Sequence, residues 1–441
     1  MYYQEIFTES LAHYSYVIGD DQQLIVIDPQ ADIDLYLDIS LKQKLPITTI
    51  LETHRNEDFL VGSKALAKKC NAKVYISDEK NLDYQYGERI KDGQSIDLNK
   101  IKIKAIHTPG HTLGHMSYVL YYKEKAHMVF CGDLLFFGDI GRADFYGKEN
   151  LDKMFSMMYD SIFNKILLLG DDVILKPAHG SGSACGESIE DREFSTIGYE
   201  RKHNPKLQYN SKEEFVKNNK KMLFKPHYFE KMEKGNLSGN NNINENIEVN
   251  FIEVKDIKEE KLIDVRSQDE FNKKHLKNSV WIAEENLLSF IHWLSNYQDD
   301  LVIIGREHNN YKTILKDLLR IGYEGKISFI LNFKEDLALN VNKQAKIETI
   351  YPKQYIKDKE KYFILDVRKE SEVKKEKTKE NELIIPIEKI SENYHKLKDK
   401  ENIVVVCPSG IRSNTVASFL KSKNIKAKVL IGGLKLLDRV E

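Results

Sequence analysis

Two stretches of this chain repeat one another at a fixed distance, and that repeat restricts the folds open to its second half. KLIDVRSQDEF (residues 261–271) matches YFILDVRKESEV (362–373), and LVIIGREHNN (301–310) matches IVVVCPSGIR (403–412). The offset is 102 residues at both landmarks, from Asp264 to Asp366 and from Gly305 to Cys407 (366 − 264 and 407 − 305). Equal spacing at two separated points marks a tandem duplication. Each copy alternates short apolar strands with helical stretches and brings a strand into a loop, so each reads as an α/β module.

Ahead of the repeat, LIVID (24–28), ITTILET (47–53), KVYIS (73–77), IKIKAI (101–106), MSYVLYY (116–122), AHMVFCGD (126–133) and DDVILKPAH (171–179) read as strands. FLVGSKALAKKC and KENLDKMFSMMYDSIF between them read as helices, which predicts sheets with helices packed outside. The Gly- and Asn-rich stretch GNLSGNNNINENIE (235–248) reads as a linker. The expected domains are therefore 1–234, a linker at 235–249, and modules at 250–342 and 343–441.

At 441 residues the chain is long enough for about three domains. A formal net charge of −1 gives no global attraction to nucleic acid or to acidic membranes. No apolar run reaches the roughly 18 residues of a spanning helix. The start, MYYQEIFTESLAHYSYVIGD, lacks a basic stretch followed by an apolar one, so no signal peptide is expected. Four cysteines (Cys70, Cys131, Cys185, Cys407) without a CxxC pair are too few for a disulfide framework and suit a reducing cytoplasm.

Metal-capable side chains gather just beyond the expected strands. THRNEDF (53–59), HTPGHTLGH (107–115), CGD (131–133) and PAHG (177–180) occur in that order, each beside Gly, Pro or a strand end. This order resembles the metallo-β-lactamase superfamily, whose signature is an HxHxDH loop, a later His, a bridging Asp and a final His. The resemblance covers roughly residues 1–230 and implies an αββα sandwich. The loop here is His54-Arg55-Asn56-Glu57-Asp58-Phe59, so the second and last histidines are missing and a di-zinc hydrolase would lose one ligand from each metal.

What survives is His54, His111 and Asp133. Two imidazoles and one carboxylate leave three positions of an octahedral ion open, the arrangement of non-haem Fe(II) oxygenases, whereas structural zinc prefers four filled protein positions. The set also resembles the mononuclear persulfide dioxygenase branch of the superfamily, which implies one Fe(II) per chain, with zinc as the alternative. Asp58 is expected to accept a hydrogen bond and orient a ligand His. His115 and His179 are candidates for lining the pocket, contacting substrate or holding water, with an ordinary polar-core role equally open. Arg142 is a candidate for an anionic part of the substrate, or for a structural ion pair. Cys185 is a candidate pocket-edge thiol; Cys70 and Cys131 read as inert.

The loop Cys407-Pro408-Ser409-Gly410-Ile411-Arg412 follows the apolar strand IVVV and precedes the helical NTVASFLKSK. A Cys there sits among backbone N–H groups converging at a helix N-terminus, and those dipoles together with Arg412 favour its thiolate. Phosphatases also use a Cys-to-Arg loop, but theirs usually spans one residue more. With the upstream Asp366-Val367-Arg368, the loop resembles the rhodanese family over roughly the last hundred residues, which implies that Cys407 carries a sulfane sulfur. Pro408 departs from the basic residue common at that position. The first copy has Gly305 for Cys407 and Asn310 for Arg412, so it is expected to be inactive, with Asp264–Arg266 a salt-bridge or capping feature.

The whole layout resembles bacterial persulfide dioxygenase–rhodanese fusions. That implies oxidation of small persulfides by O2 to sulfite, sulfur transfer by Cys407 yielding thiosulfate, a homo-oligomer, and no nucleic-acid or membrane partner. Two rivals remain: a di-metal thioester hydrolase of glyoxalase II type, and a non-enzymatic sulfur-carrying or sensing scaffold.

Overall fold

The computed structural model describes every residue except 80–82, 184, 224, 226–227, 240–242, 244–246, 307–309, 331–343, 370–371, 374–380 and 441. The chain divides into two units, Met1–Ile247 with Leu319–Gly322, and Glu248–Leu318 with Tyr323–Glu441.

Two facing sheets build the first unit. One runs in chain order through Tyr2–Thr8, His13–Gly19, Leu24–Ile27, Ile47–Leu51, Lys73–Ser77 and Glu88–Ile90. The other is ordered Ile174–Pro177, Lys125–Gly132, Met116–Tyr122, Ile101–His107, Ser95–Asp97. Side chains alternate across a strand, so consecutive residues enter different cores. Tyr16, Ile18, Ile25, Ile27 and Leu51 of the first sheet meet Ile103, Tyr118, Leu120 and Phe130 of the second. Their neighbours Val17, Leu24, Val26 and Ile50 face outward against Tyr36, Ile39 and Leu66, which come from helices Asp34–Gln43 and Ser63–Cys70. On the far side Val119, Val129 and Leu175 pack on Met154, Phe155 and Met158 of helix Leu151–Ser161. Helix, sheet, sheet, helix is the predicted αββα sandwich. Strands buried on both faces read as continuous apolar runs, which is why LIVI and MSYVLYY were legible. The opening hairpin, with Tyr2 opposite Gly19 and Thr8 opposite His13, was not foreseen from the sequence.

The linker expectation needs correction at its start. Gly235–Ser238 form the last turn of helix Phe229–Ser238, and Asn236 is fully buried. Its side chain accepts from Val61 N (2.9 Å) and donates to the carbonyls of Asn56 (2.7 Å) and Phe59 (2.8 Å). A Gly- and Asn-rich composition predicted a loop, but tertiary packing overrode the propensity because Asn supplies the donors and acceptor that a buried loop requires. Of the rest of the linker, residues 240–242 and 244–246 lie outside the described set.

In the second unit each copy has its own parallel sheet. The first is ordered Val280–Trp281, Lys261–Asp264, Leu301–Ile304, Ile327–Ile330, and the second Glu348–Ile350, Ala427–Leu430, Ile403–Val406, Phe363–Asp366, Glu382–Ile384. Asp264 pairs with Ile304 and Asp366 with Val406, so the 102-residue offset persists in the register (406 − 304). The expected boundary at 342 lies outside the described residues. Just beyond it, Gln344–Ala345 pairs antiparallel with His275–Leu276, so the first copy's pairing continues past that boundary. Among the described residues no helix is long and apolar enough to cross a membrane.

Replacing Asn236 by Ala removes three hydrogen bonds to loop backbone that water cannot reach, a loss of about 2 kcal/mol or more. The melting midpoint of the first unit should fall by roughly 4–8 °C in calorimetry; an unchanged midpoint would contradict the clamp.

Candidate metal centre and sulfur loop

Hydrogen bonds to the far atom of each candidate ligand decide which lone pair is left over. Asp28 accepts both the backbone N–H (2.8 Å) and the hydroxyl (2.7 Å) of Thr53. The Thr53 oxygen is then free to accept from His54 Nδ1 at 2.8 Å, which leaves His54 Nε2 a bare acceptor. His111 Nδ1 donates to the Arg142 carbonyl at 2.8 Å, so its Nε2 is also bare. His179 Nδ1 donates to Asp133 Oδ1 at 2.7 Å, leaving Oδ2. Asp133 Oδ2 lies 3.8 Å from His54 Nε2 and 3.6 Å from His111 Nε2. All three atoms are buried and lack a hydrogen-bond partner. Lone pairs converging in a low-dielectric interior are unfavourable unless a cation lies between them, so this donor set fits a divalent metal.

Sequence reasoning missed a fourth member. Glu57 is buried, with Oε1 2.8 Å from His111 Nε2 and Oε2 4.0 Å from His54 Nε2. One donor atom from each of His54, Glu57, His111 and Asp133 lies within 4.8 Å of every other. Glu57 occupies a variable position of the HxHxDH pattern, so only its burial could have flagged it. At the two missing-histidine positions, Asn56 turns its amide toward the His54 carbonyl (3.5 Å) and Phe59 packs its ring 4.1 Å from that of His13.

Asp58 accepts from His179 (Nε2 to Oδ2 2.8 Å) and orients it, rather than a His of the central set. Burial pushes the His179 pKa down, but Asp133 and Asp58 on either side outweigh it and raise it well above the usual value. His115 turns both ring nitrogens to the fold: Nε2 accepts the Asp133 backbone N–H at 3.2 Å and Nδ1 meets Thr108 Oγ1 at 2.9 Å. Burial, with His111 nearby, holds its pKa down at about 3. Arg142 does not offer its guanidinium to an anion either; Nε and Nη2 clasp Asp144 at 2.7 and 2.9 Å, and its contribution to the centre is its carbonyl. Cys185 is buried, with Sγ 3.8 Å from Glu57 Oε1 and close to Asp58 and His179. Burial first, then Asp58, Asp133 and Glu57, raise its pKa and keep the thiol protonated. Cys131 donates to the Leu135 carbonyl (3.2 Å), as expected of an inert core thiol. Gly132 has φ +50°, and a Cβ there would lie 2.5 Å from His115 Nε2, so only glycine lets the strand deliver Asp133.

In the second unit, Cys407 directly follows strand Ile403–Val406, and helix Ile411–Ser422 starts immediately after Gly410. Gly410 N (3.1 Å) and Ser413 N (3.4 Å) donate to Sγ, the cradle expected of an anion loop. A Cβ at Gly433, where φ is +62°, would lie 2.3 Å from the Cys407 carbonyl. Arg412 is held away from a free anion-binding role: Nη1 and Nη2 form a two-pronged pair with Glu372 at 2.5 and 2.7 Å. The first copy keeps the glutamate, Glu270, but pairs it with Arg306 (2.7 Å), which takes the position of Pro408 (408 − 306 is again 102). Each DVR segment is a local ion pair, Asp264–Arg266 at 2.7 Å and Asp366–Arg368 at 2.6 Å. A cleft of about 480 Å3 is lined by Arg266, Gln268, Trp281, Arg306 and Asn310 of the first copy and Ile411 of the second.

The protein is therefore a metallo-β-lactamase-fold domain carrying a buried His/Glu/Asp cluster, followed by two rhodanese-like domains, and this combination points to an enzyme. Residues 9–179 match the metallo-β-lactamase superfamily, and residues 251–332 and 352–438 each match the rhodanese-like domain. The chain is similar to a hydroxyacylglutathione hydrolase of Francisella tularensis subsp. novicida, 36% identical over 38% of this chain. The chain spans only 64% of that relative's length. A hydroxyacylglutathione hydrolase of Haemophilus influenzae is 28% identical, with 45% of this chain and 93% of that protein covered. The crystal structure of a metallo-β-lactamase from Staphylococcus aureus subsp. aureus COL aligns with a TM-score of 0.66 at 28% identity, covering 75% of this chain and 98% of that one.

The Arg412 pair holds the Glu372 carboxyl down at about 2, below the usual glutamate range. A carboxylate depressed on folding stabilises the fold above its unfolded pKa and loses that effect as pH falls through the folded one. Glu372→Gln should therefore lower stability at pH 7 in urea unfolding, with the gap to wild type closing between about pH 4.5 and 2. A gap independent of pH would contradict the pairing.

Proposed function

We propose that the chain oxidises low-molecular-weight persulfides with O2 to sulfite through a single iron, and that Cys407 transfers sulfane sulfur to give thiosulfate. The observation that carries the reading is the surviving trio. Bare atoms of His54, His111 and Asp133 face one point, while the two missing histidines are replaced by Asn56, whose amide nitrogen turns toward the His54 carbonyl, and by Phe59, which has no donor atom. Fe(II) held by that trio would supply adjacent positions at which a sulfur ligand and O2 can meet.

The chain's own residues do the rest. The Arg142 carbonyl and Thr53 fix the tautomers of His111 and His54. His179, clasped between Asp58 and Asp133, holds the Asp133 carboxylate in place, and the buried surroundings exclude bulk water. The net change consumes one O2 and one water per persulfide and releases thiol and sulfite. At the second site the Cys407 thiolate attacks the terminal sulfur of RSSH and expels the thiol. Sulfite then removes that sulfur as thiosulfate and restores the thiolate, while Gly410 and Ser413 N–H groups stabilise the sulfur anion. Placing both sites on one chain raises the effective concentration of the shared sulfite.

A second reading, thioester hydrolysis, is favoured by the similarity to hydroxyacylglutathione hydrolases. It requires two metals, with ligands that Asn56 and Phe59 do not supply.

O2 uptake by Fe(II)-loaded protein given a small persulfide separates the readings. Uptake should fall at least a hundredfold in His111→Ala, and Cys407→Ser should keep uptake while product shifts from thiosulfate to sulfite. Absent uptake at full iron occupancy, with thioester turnover by the zinc-loaded protein, would establish the hydrolase instead.

A further inference from the structure

We propose that Glu57 is a fourth protein donor to the metal, making the centre a two-imidazole, two-carboxylate site. This deepens the metal reading above and rests on it, but does not depend on which reaction the metal serves.

His111 Nδ1 is committed as a donor to the Arg142 carbonyl, and its Nε2 lies only 2.8 Å from Glu57 Oε1, so the Glu57 carboxylate belongs to the same buried cluster. Two such atoms approach that closely when a proton or a metal ion lies between them. The other oxygen, Oε2, has no hydrogen-bond partner and faces His54 Nε2 at 4.0 Å. The side chain is 1% exposed, so water does not satisfy it. Leaving a carboxylate oxygen buried and unpartnered is costly, and the natural relief is an ion. No Lys or Arg nitrogen lies within ion-pair distance of Glu57 among the described residues, and its ion partners there are His54 and His111.

The motif explains how the residue reached this position. The superfamily signature places a His at 56, where this chain has Asn with its amide turned toward the His54 carbonyl. Glu57, one residue further along the same clamped loop, brings its carboxylate to the point where His54, His111 and Asp133 converge. Four protein donors would leave a six-coordinate ion two positions instead of three. Two positions still hold a sulfur ligand and O2 together, and neither is spare for water.

The test uses the full chain with Co(II) as the probe under anaerobic conditions, comparing wild type with Glu57→Gln and Glu57→Ala. Affinity comes from competition with a chelator, and coordination from the visible Co(II) absorption spectrum. Both variants should bind Co(II) at least tenfold more weakly, with a changed spectrum. Wild-type affinity and spectrum in both variants would overturn the assignment. Weaker binding with an unchanged spectrum would also overturn it, because Glu57 would then act only through His111. Persulfide-dependent O2 uptake is read separately. Cobalt bound through Glu57 in a protein that consumes no O2 would keep this inference and remove the dioxygenase reading.

Discussion

Asp133 is where the supports of the metal unit meet. Its backbone N–H is received by His115, its Oδ1 accepts from His179 Nδ1, and its Oδ2 is left facing His54 and His111. Burial alone would push this carboxyl up, but the surrounding imidazoles outweigh it and hold it well below the usual carboxylate range. The arrangement works because every ligand has a partner for its far atom and none for its near one. Thr53 and Asp28, the Arg142 carbonyl, and His179 with Asp58 are all spent on that task. Asp28, Thr53 and His179 stand just beyond the ends of strands of the two packed sheets, so the αββα core fixes these supports through its own packing.

The two rhodanese-like copies differ at the loop position that holds Cys407 in the second and Gly305 in the first. Strand register, the Asp–Arg ion pair and the glutamate four residues past that arginine survive in both. The glutamate's partner differs: Arg412 from the sixth loop position in the second copy, Arg306 from the second position in the first. An arginine anchoring the loop is therefore common to both, and the thiol of Cys407 is what distinguishes them. Arg412 thus serves the loop's shape first, and the backbone N–H groups of Gly410 and Ser413 contact the sulfur directly.

How much could be read beforehand depended on whether a residue's role is local. Strands such as Leu24–Ile27 and Met116–Tyr122 were legible because burial on both faces leaves an uninterrupted apolar run. Asn236 was misread because its composition resembles a linker, and only the distant loop at Asn56–Val61 makes it a buried clamp. Arg142 was open between two roles until Asp144 settled the matter in favour of an ion pair. Glu57 could not be weighed at all, since its partner His111 is far along the chain and no spacing rule joins them.

By itself the sequence determined the duplication, the strand pattern, the order of the His and Asp clusters, and the loss of Cys and Arg from the first copy. These are properties of period, spacing and residue identity, which a chain carries unfolded. The tertiary structure alone decided which nitrogen of each His is free, that His115 and Arg142 are supports, and that Glu57 and Cys185 stand beside the centre. Hydrogen-bond direction and burial arise between segments remote in sequence, so no local pattern encodes them.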